Sequence, residues 1–300
     1  MATIEILGVR HTYELSDPTP SGQVLVFLHG WLLSRQYWQP IVDRLLDDYQ
    51  CLWYDLRGFG ESQPESGTQP HSHARYTPAA YAGDLAVLLQ NLGIDSAWLV
   101  GHSLGGTIAL WSAAQMPQQV KGVVCVNAGG GIYLKEEFDR FRAVGAQMIR
   151  LRPRWLCNLP LVDRLFTRAS VANPIEPKWG RQRLVDFVVA HPQAALRTLL
   201  ESTTEEEVHR LPHLVSKLTQ PVYFIAGMDD TIMEPKYVRH LASFHPTFQF
   251  GEDNVLEISQ CGHMSMVEKP NELSDHLRNI LKRSSGVQES RSSEYPYSSN

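Results

Sequence analysis

A serine flanked by glycines follows a short apolar run in the first half of the chain. The stretch at 101–106 reads Gly-His-Ser-Leu-Gly-Gly and matches the pattern G-x-S-x-G around Ser103. An apolar run at 97–100 precedes it, and a helical pattern begins at Leu104. In such a strand–turn–helix context the serine occupies a strained turn that exposes its hydroxyl. A phosphate-binding loop would need Lys and then Ser or Thr after the glycines, and this pair is absent. The spacing therefore predicts that Ser103 is a nucleophile.

Two later segments carry residue types that could activate this serine. Asp229 and Asp230 follow the apolar run at 222–226, and His263 lies in the loop Gln-Cys-Gly-His-Met at 260–264. A serine becomes nucleophilic when an imidazole takes its proton and a carboxylate orients the imidazole. Of the twelve histidines, His263 alone follows the last strand-like run in a glycine-containing loop. We expect His263 to act as the base, with one of the two aspartates behind it.

Short apolar runs alternate with helical patterns along most of the chain. Runs of this kind predict strands that are covered on both faces, as in a parallel sheet. They lie at 24–28, 51–54, 97–100, 123–126, 222–226 and 255–258. Helical patterns lie at 37–46, 78–92, 104–115, 235–243 and 271–281. The alternation predicts a doubly wound α/β sheet, with an antiparallel hairpin at 4–6 and 11–15 on its edge.

One long region interrupts this alternation. Three glycines at 129–131 open a stretch of helical character that contains no convincing strand before Pro221. We therefore predict a core domain of residues 1–128 and 214–283 with a helical cap inserted at 129–213. The segment 284–300 is rich in Ser and Glu without an apolar face, which predicts a disordered tail.

Three motifs together resemble the α/β-hydrolase superfamily. They are Leu-His-Gly-Trp at 28–31, Tyr-Asp-Leu-Arg-Gly-Phe-Gly-Glu-Ser at 54–62 and the serine motif at 101–106. In order and spacing they are similar to the branch of small esterases, carbon–carbon hydrolases and haloperoxidase-like perhydrolases. The resemblance extends to about Lys282 and is weakest in the cap. It implies the α/β-hydrolase fold, a mostly parallel doubly wound sheet with an inserted helical cap.

The resemblance also implies roles for individual residues. The family pattern G-x-x-D selects Asp230 rather than Asp229, which gives a triad in the chain order Ser103, Asp230, His263. The family's oxyanion hole maps to the backbone N–H groups of Trp31 and Leu104. By the same comparison His29 and Asp55 shape loops, and His102 is expected on the far side of the serine turn as a packing or hydrogen-bonding residue.

This arrangement implies a serine hydrolase that cleaves a carboxylic ester, lipid-like substrates or thioesters included, through an acyl-enzyme on Ser103 (carboxylesterase or lipase-like, EC 3.1.1 class). The main alternative is a carbon–carbon bond hydrolase or lyase of the same fold; Thr107 stands where the menaquinone-pathway synthase has an arginine, which argues against the lyase. A minor alternative is a non-catalytic ligand-binding protein. Dehalogenases and epoxide hydrolases of this fold use an aspartate nucleophile. We expect no cofactor and no metal.

Composition limits the expected binding partners and cellular location of the protein. A net charge of −5 gives no reason to expect nucleic-acid binding. The four cysteines, at 51, 125, 157 and 261, form no CxxC pair, so we expect neither disulfides nor a zinc site and a reducing compartment. The start of the chain lacks a signal-peptide pattern, and no apolar run reaches membrane-spanning length. We therefore expect a cytoplasmic protein.

The predicted cap is unusually basic. Residues 132–200 contain twelve Lys and Arg against six Asp and Glu, and the stretch 148–156 reads Met-Ile-Arg-Leu-Arg-Pro-Arg-Trp-Leu. Such a mixture of basic, apolar and tryptophan residues suits an anionic lipid surface. We hypothesise that the cap makes peripheral membrane contact and that the substrate is a small-molecule ester with an apolar acyl group. The oligomeric state stays open.

Overall fold

The computed structural model describes residues 1–64, 75–130, 135–159, 161–249 and 254–293. These residues form one eight-stranded sheet in the order β1-β2-β4-β3-β5-β6-β7-β8. Its strands are β1 (Ala2–Ile6), β2 (Val9–Leu15), β3 (Val24–Leu28), β4 (Gln50–Tyr54), β5 (Ala97–His102), β6 (Val120–Val126), β7 (Val222–Gly227) and β8 (Val255–Ile258). The β1–β2 and β2–β4 pairs are antiparallel, and all other pairs are parallel. The predicted doubly wound sheet with its edge hairpin is confirmed.

Helices cover both faces of this sheet. The described residues form α1 (Gln39–Leu45), α2 (Pro78–Asn91), α3 (Leu104–Gln115), α4 (Lys135–Arg150), α5 (Val162–Arg168), α6 (Pro177–Val189), α7 (Pro192–Ser202), α8 (Glu205–Val215), α9 (Pro235–Ala242), α10 (Pro246–Gln249), α11 (Ser265–Glu268) and α12 (Pro270–Ser293). Thr77 is the N-cap residue of α2, since its side chain accepts a hydrogen bond from the Ala80 N–H. A 3₁₀ turn at Arg35–Trp38 delays the start of α1 relative to the predicted helix at 37–46.

The end of the chain differs from the expectation of disorder after residue 283. Helix α12 continues to Ser293, so residues 284–293 are helical. The remainder of the predicted tail, residues 294–300, lies outside the described part of the chain.

The central strands show why the sheet needs helices on both sides. Leu25 and Phe27 pack in one hydrophobic cluster together with residues of α1 and α12. Val26 and Leu28 belong to the other cluster, with residues of α2 and α3. All four side chains are fully buried, because alternate residues of a strand point to opposite faces. Burying each such side chain contributes roughly 1.5–3 kcal/mol.

The chain between β6 and β7 forms α4 to α8. Helix α8 packs against α3 and α9, which cover the sheet. Helices α4 to α7, called the inserted helices below, pack against one another in the pairs α4–α7 and α5–α6. Within the described residues, no helix combines the length and apolar character that crossing a membrane requires.

Candidate active site

Ser103 occupies a strained turn between β5 and α3. Its backbone has φ 52° and ψ −119°, a conformation that residues with a Cβ rarely adopt and that costs about 1–3 kcal/mol. The surrounding backbone approaches so closely that only glycine fits at two positions. A Cβ on Gly101 would lie 2.2 Å from the Gly105 carbonyl oxygen, and one on Gly105 would lie 2.3 Å from the Leu28 carbonyl oxygen. The glycines of the motif thus permit the turn that holds Ser103 at the end of the strand.

His263 and Asp230 form a buried pair near this turn. The distance from His263 Nδ1 to Asp230 Oδ2 is 2.7 Å. The other carboxylate oxygen, Oδ1, accepts hydrogen bonds from the N–H groups of Ile232 and Met233, each at 2.9 Å. Asp229, in contrast, is exposed to solvent. The structure therefore brings Asp230 rather than Asp229 to the imidazole.

The surroundings of Asp230 favour its charged form. Burial by itself would raise the pKa of this carboxyl, but the interaction with His263 and the hydrogen bonds donated by His263, Met233 and Asn127 together lower the pKa below its ordinary value. A charge near one side of the imidazole stabilises the protonated ring. Asp230 is thus an anion positioned to stabilise a positive charge on His263.

Asn127 and His102 support this pair, and the role of Asn127 was not predicted from the sequence. Asn127 Nδ2 donates to Asp230 Oδ2 at 2.9 Å and to the Gly262 carbonyl oxygen at 3.2 Å. Its Oδ1 accepts a hydrogen bond from Ser265 Oγ. Asn127 directly follows β6, which pairs with β7. This position at the end of a strand was the sequence feature that could have indicated a role near Asp230.

The expected position of His102 on the far side of the turn is wrong, because His102 lines the same cavity as Ser103, whereas the expected hydrogen-bonding role is confirmed. Its Nε2 is 2.7 Å from the His263 carbonyl oxygen, and the two ring centres are 4.7 Å apart. Burial, and then the neighbouring His263, hold the pKa of His102 well below its ordinary value. A neutral His102 donates to the backbone of the His263 loop. The Ser170 carbonyl oxygen also holds this loop, by accepting the His263 N–H at 2.9 Å.

Two backbone N–H groups near Ser103 have no acceptor in the described part of the chain. Among the described residues, neither the Trp31 N–H nor the Leu104 N–H donates a hydrogen bond. Leu104 is the first residue of α3, where the helix dipole adds partial positive charge. The Trp31 ring is fixed by its own hydrogen bond, from Nε1 to the Ala195 carbonyl oxygen of α7 at 2.9 Å. These free donors could bind a developing negative charge.

His29 and Asp55 shape the neighbouring loops. His29 is buried, with Nδ1 2.8 Å from the Gly30 carbonyl oxygen and Nε2 accepting the Leu56 N–H at 2.9 Å. Asp55 accepts hydrogen bonds from the backbone N–H and the guanidinium of Arg35, both at 2.6 Å. Their polar atoms are occupied by these structural contacts, in agreement with the sequence analysis.

A cavity of about 730 Å³ joins these groups. Ser103, His263, Trp31 and Leu104 all line it, beyond the carboxyl ends of the parallel strands, where ligands bind in open α/β sheets. The inserted helices supply an apolar wall that consists of Phe141, Val144, Met148, Leu165, Phe166 and Leu199. Two arginines, Arg140 and Arg183, also line the cavity. Its size suits a small organic molecule.

The chain is similar to several known proteins. A family model described as alpha/beta hydrolase fold matches residues 23–270. The carbamate hydrolase candidate RutD of Enterobacter cloacae subsp. cloacae is 38% identical over 270 residues, which cover 88% of this chain and 93% of that protein. The pimeloyl-[acyl-carrier protein] methyl ester esterase of Shewanella oneidensis is 26% identical over 219 residues, 73% of this chain and 77% of its own. A thermophilic esterase from Thermogutta terrifontis has the same fold, with a TM-score of 0.73 at 21% identity over 95% of this chain and 99% of that chain.

Proposed function

The chain belongs to the alpha/beta hydrolase fold family, whose members similar to it are named hydrolases and esterases, and we propose that it is a serine carboxylesterase that works through an acyl-enzyme on Ser103. One observation carries the proposal. A strained serine and a carboxylate-bound histidine line the same cavity. This is the combination of groups that acyl transfer needs.

The proposed reaction has two stages. His263 Nε2 takes the proton of Ser103 Oγ while this oxygen attacks the acyl carbon, and the imidazolium then protonates the leaving alcohol. Asp230 holds the Nδ1–H tautomer and stabilises the imidazolium. Water, deprotonated by the same histidine, then attacks the acyl-enzyme, releases the carboxylic acid and restores Ser103.

The free N–H groups of Trp31 and Leu104 are proposed to bind the oxyanion of both tetrahedral intermediates. Each such donor contributes about 3 kcal/mol to the transition state. The donors are fixed in advance, Leu104 by α3 and Trp31 through its ring contact with Ala195, so little reorganisation is needed when the charge develops.

The inserted helices are proposed to act as the cap of this site. Their apolar side chains in the cavity wall favour an ester with an apolar acyl portion. Excluding water from the reacting groups also strengthens the electrostatic interactions within the site.

The proposal is tested by turnover of a p-nitrophenyl ester series of increasing acyl length and by labelling with a fluorophosphonate probe. We expect Ser103→Ala to abolish both signals. Ser216→Ala, which removes a hydroxyl that donates to the His213 carbonyl oxygen of its own helix, should retain them. Ester turnover and labelling that persist without Ser103 would contradict the proposal. Turnover confined to vinylogous diketones would favour the carbon–carbon hydrolase instead.

We also propose that the inserted helices contact an anionic lipid surface. Four large apolar side chains on this part of the chain are at least half exposed: Leu151 at 65%, Trp155 at 59%, Leu161 at 59% and Leu165 at 70%. The exposed arginines nearby are Arg150, Arg154, Arg164 and Arg168, and none of them is in an ion pair with a described residue. Exposed apolar groups with a basic rim suit a membrane interface.

Co-sedimentation with vesicles tests the membrane proposal. We expect binding to phosphatidylcholine vesicles that contain phosphatidylglycerol, less binding to phosphatidylcholine alone, and weaker binding of Trp155→Ala. Absence of binding to the anionic vesicles at low salt would refute it, because salt screening weakens such contacts only at higher ionic strength.

A further inference from the structure

Arg183 presents an unsatisfied guanidinium to the cavity of the candidate active site. It lies on α6 and lines the cavity together with Ser103 and His263. Its Nη1 is 3.5 Å from the sulfur of Met264, and its guanidinium carbon is 5.5 Å from the centre of the Phe166 ring. Its Nε is buried and has no hydrogen-bond partner among the residues that the structure describes.

These contacts leave most of the hydrogen-bonding capacity of the group unused. A guanidinium is always charged and has five N–H donors, whereas a thioether sulfur is a weak acceptor. No carboxylate of the described residues forms an ion pair with Arg183. An unpaired, largely buried charge is costly, and a carboxylate that enters the cavity could accept two parallel hydrogen bonds from it.

Asp186 is the acidic residue of α6 whose charge acts on Arg183, and it is engaged elsewhere. Its Oδ2 accepts a hydrogen bond from Ser34 Oγ at 2.8 Å, and its Oδ1 accepts one from Gln182 Nε2 at 2.9 Å. Burial raises the pKa of Asp186 to about 7, so near neutral pH this carboxyl carries only part of a charge. The positive charge of Arg183 therefore remains available to a ligand.

Arg183 also lies beside the loop that carries His263. Met264, which its guanidinium contacts, directly follows His263 in the chain. Arg140, the other arginine of the cavity wall, is exposed to solvent, and water weakens its attraction for an anion. The remaining wall from the inserted helices is mostly apolar. The cavity thus combines one desolvated cation near the base with an apolar surface.

We propose that Arg183 is an anion-binding subsite, and that the preferred substrates are esters that carry a carboxylate a few bonds from the ester group, such as monoesters of short dicarboxylic acids. This proposal rests on the proposed ester hydrolysis at Ser103. Hydrogen bonds to charged groups contribute enough to give about a 10- to 100-fold preference for such an ester.

A matched pair of substrates tests the preference. Monomethyl glutarate carries the carboxylate, and methyl glutaramate replaces it by a neutral amide of the same shape. We expect wild type to hydrolyse the anionic ester with the higher kcat/KM, and Arg183→Gln to remove the preference with little effect on the neutral ester. Arg183→Lys, which keeps the charge without the fork, should show an intermediate preference and serves if the Gln variant does not fold.

Arg181→Gln is the control, because Arg181 lies on the same helix, is exposed, and donates to the Cys157 carbonyl oxygen. It should retain the preference of wild type. Ser103-dependent hydrolysis without a preference for the anion, or Arg183 variants that slow both esters equally, would overturn the subsite.

Calorimetric binding of monomethyl glutarate to Ser103→Ala separates the two proposals, since it needs no turnover. We expect the added Arg183→Gln change to weaken binding by about the same 10- to 100-fold. If binding depends on Arg183 while the protein with Ser103 intact turns over no ester, the subsite stands and the proposed function fails. If turnover depends on Ser103 but the binding ignores Arg183, the subsite fails alone.

Discussion

Replacing Asp230 by Asn removes the charge behind the imidazole while leaving the size of the side chain almost unchanged. Asp230 Oδ2 lies 2.7 Å from His263 Nδ1, which places the centres of the two charges about 4 Å apart once the imidazole is protonated. At an effective dielectric constant of about 20, two unit charges at this distance attract by roughly 4 kcal/mol. Since about 1.4 kcal/mol corresponds to a factor of ten in rate, we expect kcat to fall about a thousandfold.

The assay is steady-state hydrolysis of a p-nitrophenyl ester, with thermal denaturation to verify that the variant folds. KM should change little, because Asp230 lies behind the base rather than against the substrate. Asp229→Asn is the matched control: the two aspartates are neighbours, but Asp229 is exposed, so its variant should remain within about twofold of wild type.

Two results would refute this reasoning. A decrease of less than tenfold in Asp230→Asn would show that the charge at Oδ2 does not act on the rate-limiting step. Equal losses in the Asp229 and Asp230 variants would show that the effect arises from the turn and not from the carboxylate that contacts His263.

Three further changes test the structure around the site. Asp186→Asn should stabilise the protein increasingly from pH 4 to pH 8, by up to roughly 4 kcal/mol in urea denaturation. The pKa of Asp186 in the folded state, about 7, exceeds the ordinary unfolded value, so the stability contributed by the neutral carboxyl is complete at low pH and is lost as pH rises through 7. A gain in stability that is independent of pH would contradict this. Gly105→Ala should lower the free energy of unfolding by at least about 3 kcal/mol or fail to fold, since its Cβ would collide with backbone. In Gly83→Ala the added Cβ meets nothing within 4 Å, so this variant should raise the free energy of unfolding by about 0.5–1 kcal/mol. Equal thermal shifts of the two variants would be inconsistent with the close approach at Gly105. Asn127→Ala removes a donor to the Asp230 carboxylate and should lower kcat about tenfold with KM unchanged; a change confined to KM would argue against a positioning role.

The sequence alone was sufficient to predict the order of the strands and helices and to recognise the serine motif. Runs such as Val24–Leu28 are apolar at every position because both faces of their strands are covered, so they can be recognised without tertiary information. The strained turn at Ser103 is also local. The backbone atoms that leave no room for a Cβ at its glycines lie within a few residues or at the end of the neighbouring strand.

Asp230 and Asp229 could be distinguished only by a family pattern, because two adjacent carboxylates are chemically identical in sequence. The tertiary structure separates them, since the turn after β7 exposes one and directs the other to His263. The roles of Asn127 and Arg183 were not predicted for a related reason. Asn127 lies 103 residues before its partner Asp230, and no periodicity in the chain encodes that contact.

What the sequence determined is therefore the set of groups available and the elements that carry them, because hydrophobic periodicity and turn chemistry act over short ranges. What only the tertiary structure decided is which polar atoms are satisfied. Burial and the absence of nearby acceptors among the described residues identify three groups as available to a ligand. They are the N–H groups of Trp31 and Leu104 and the guanidinium of Arg183. Burial and distance are properties of packing across the whole sheet, and packing is fixed only when strands and helices that are remote in the chain come together.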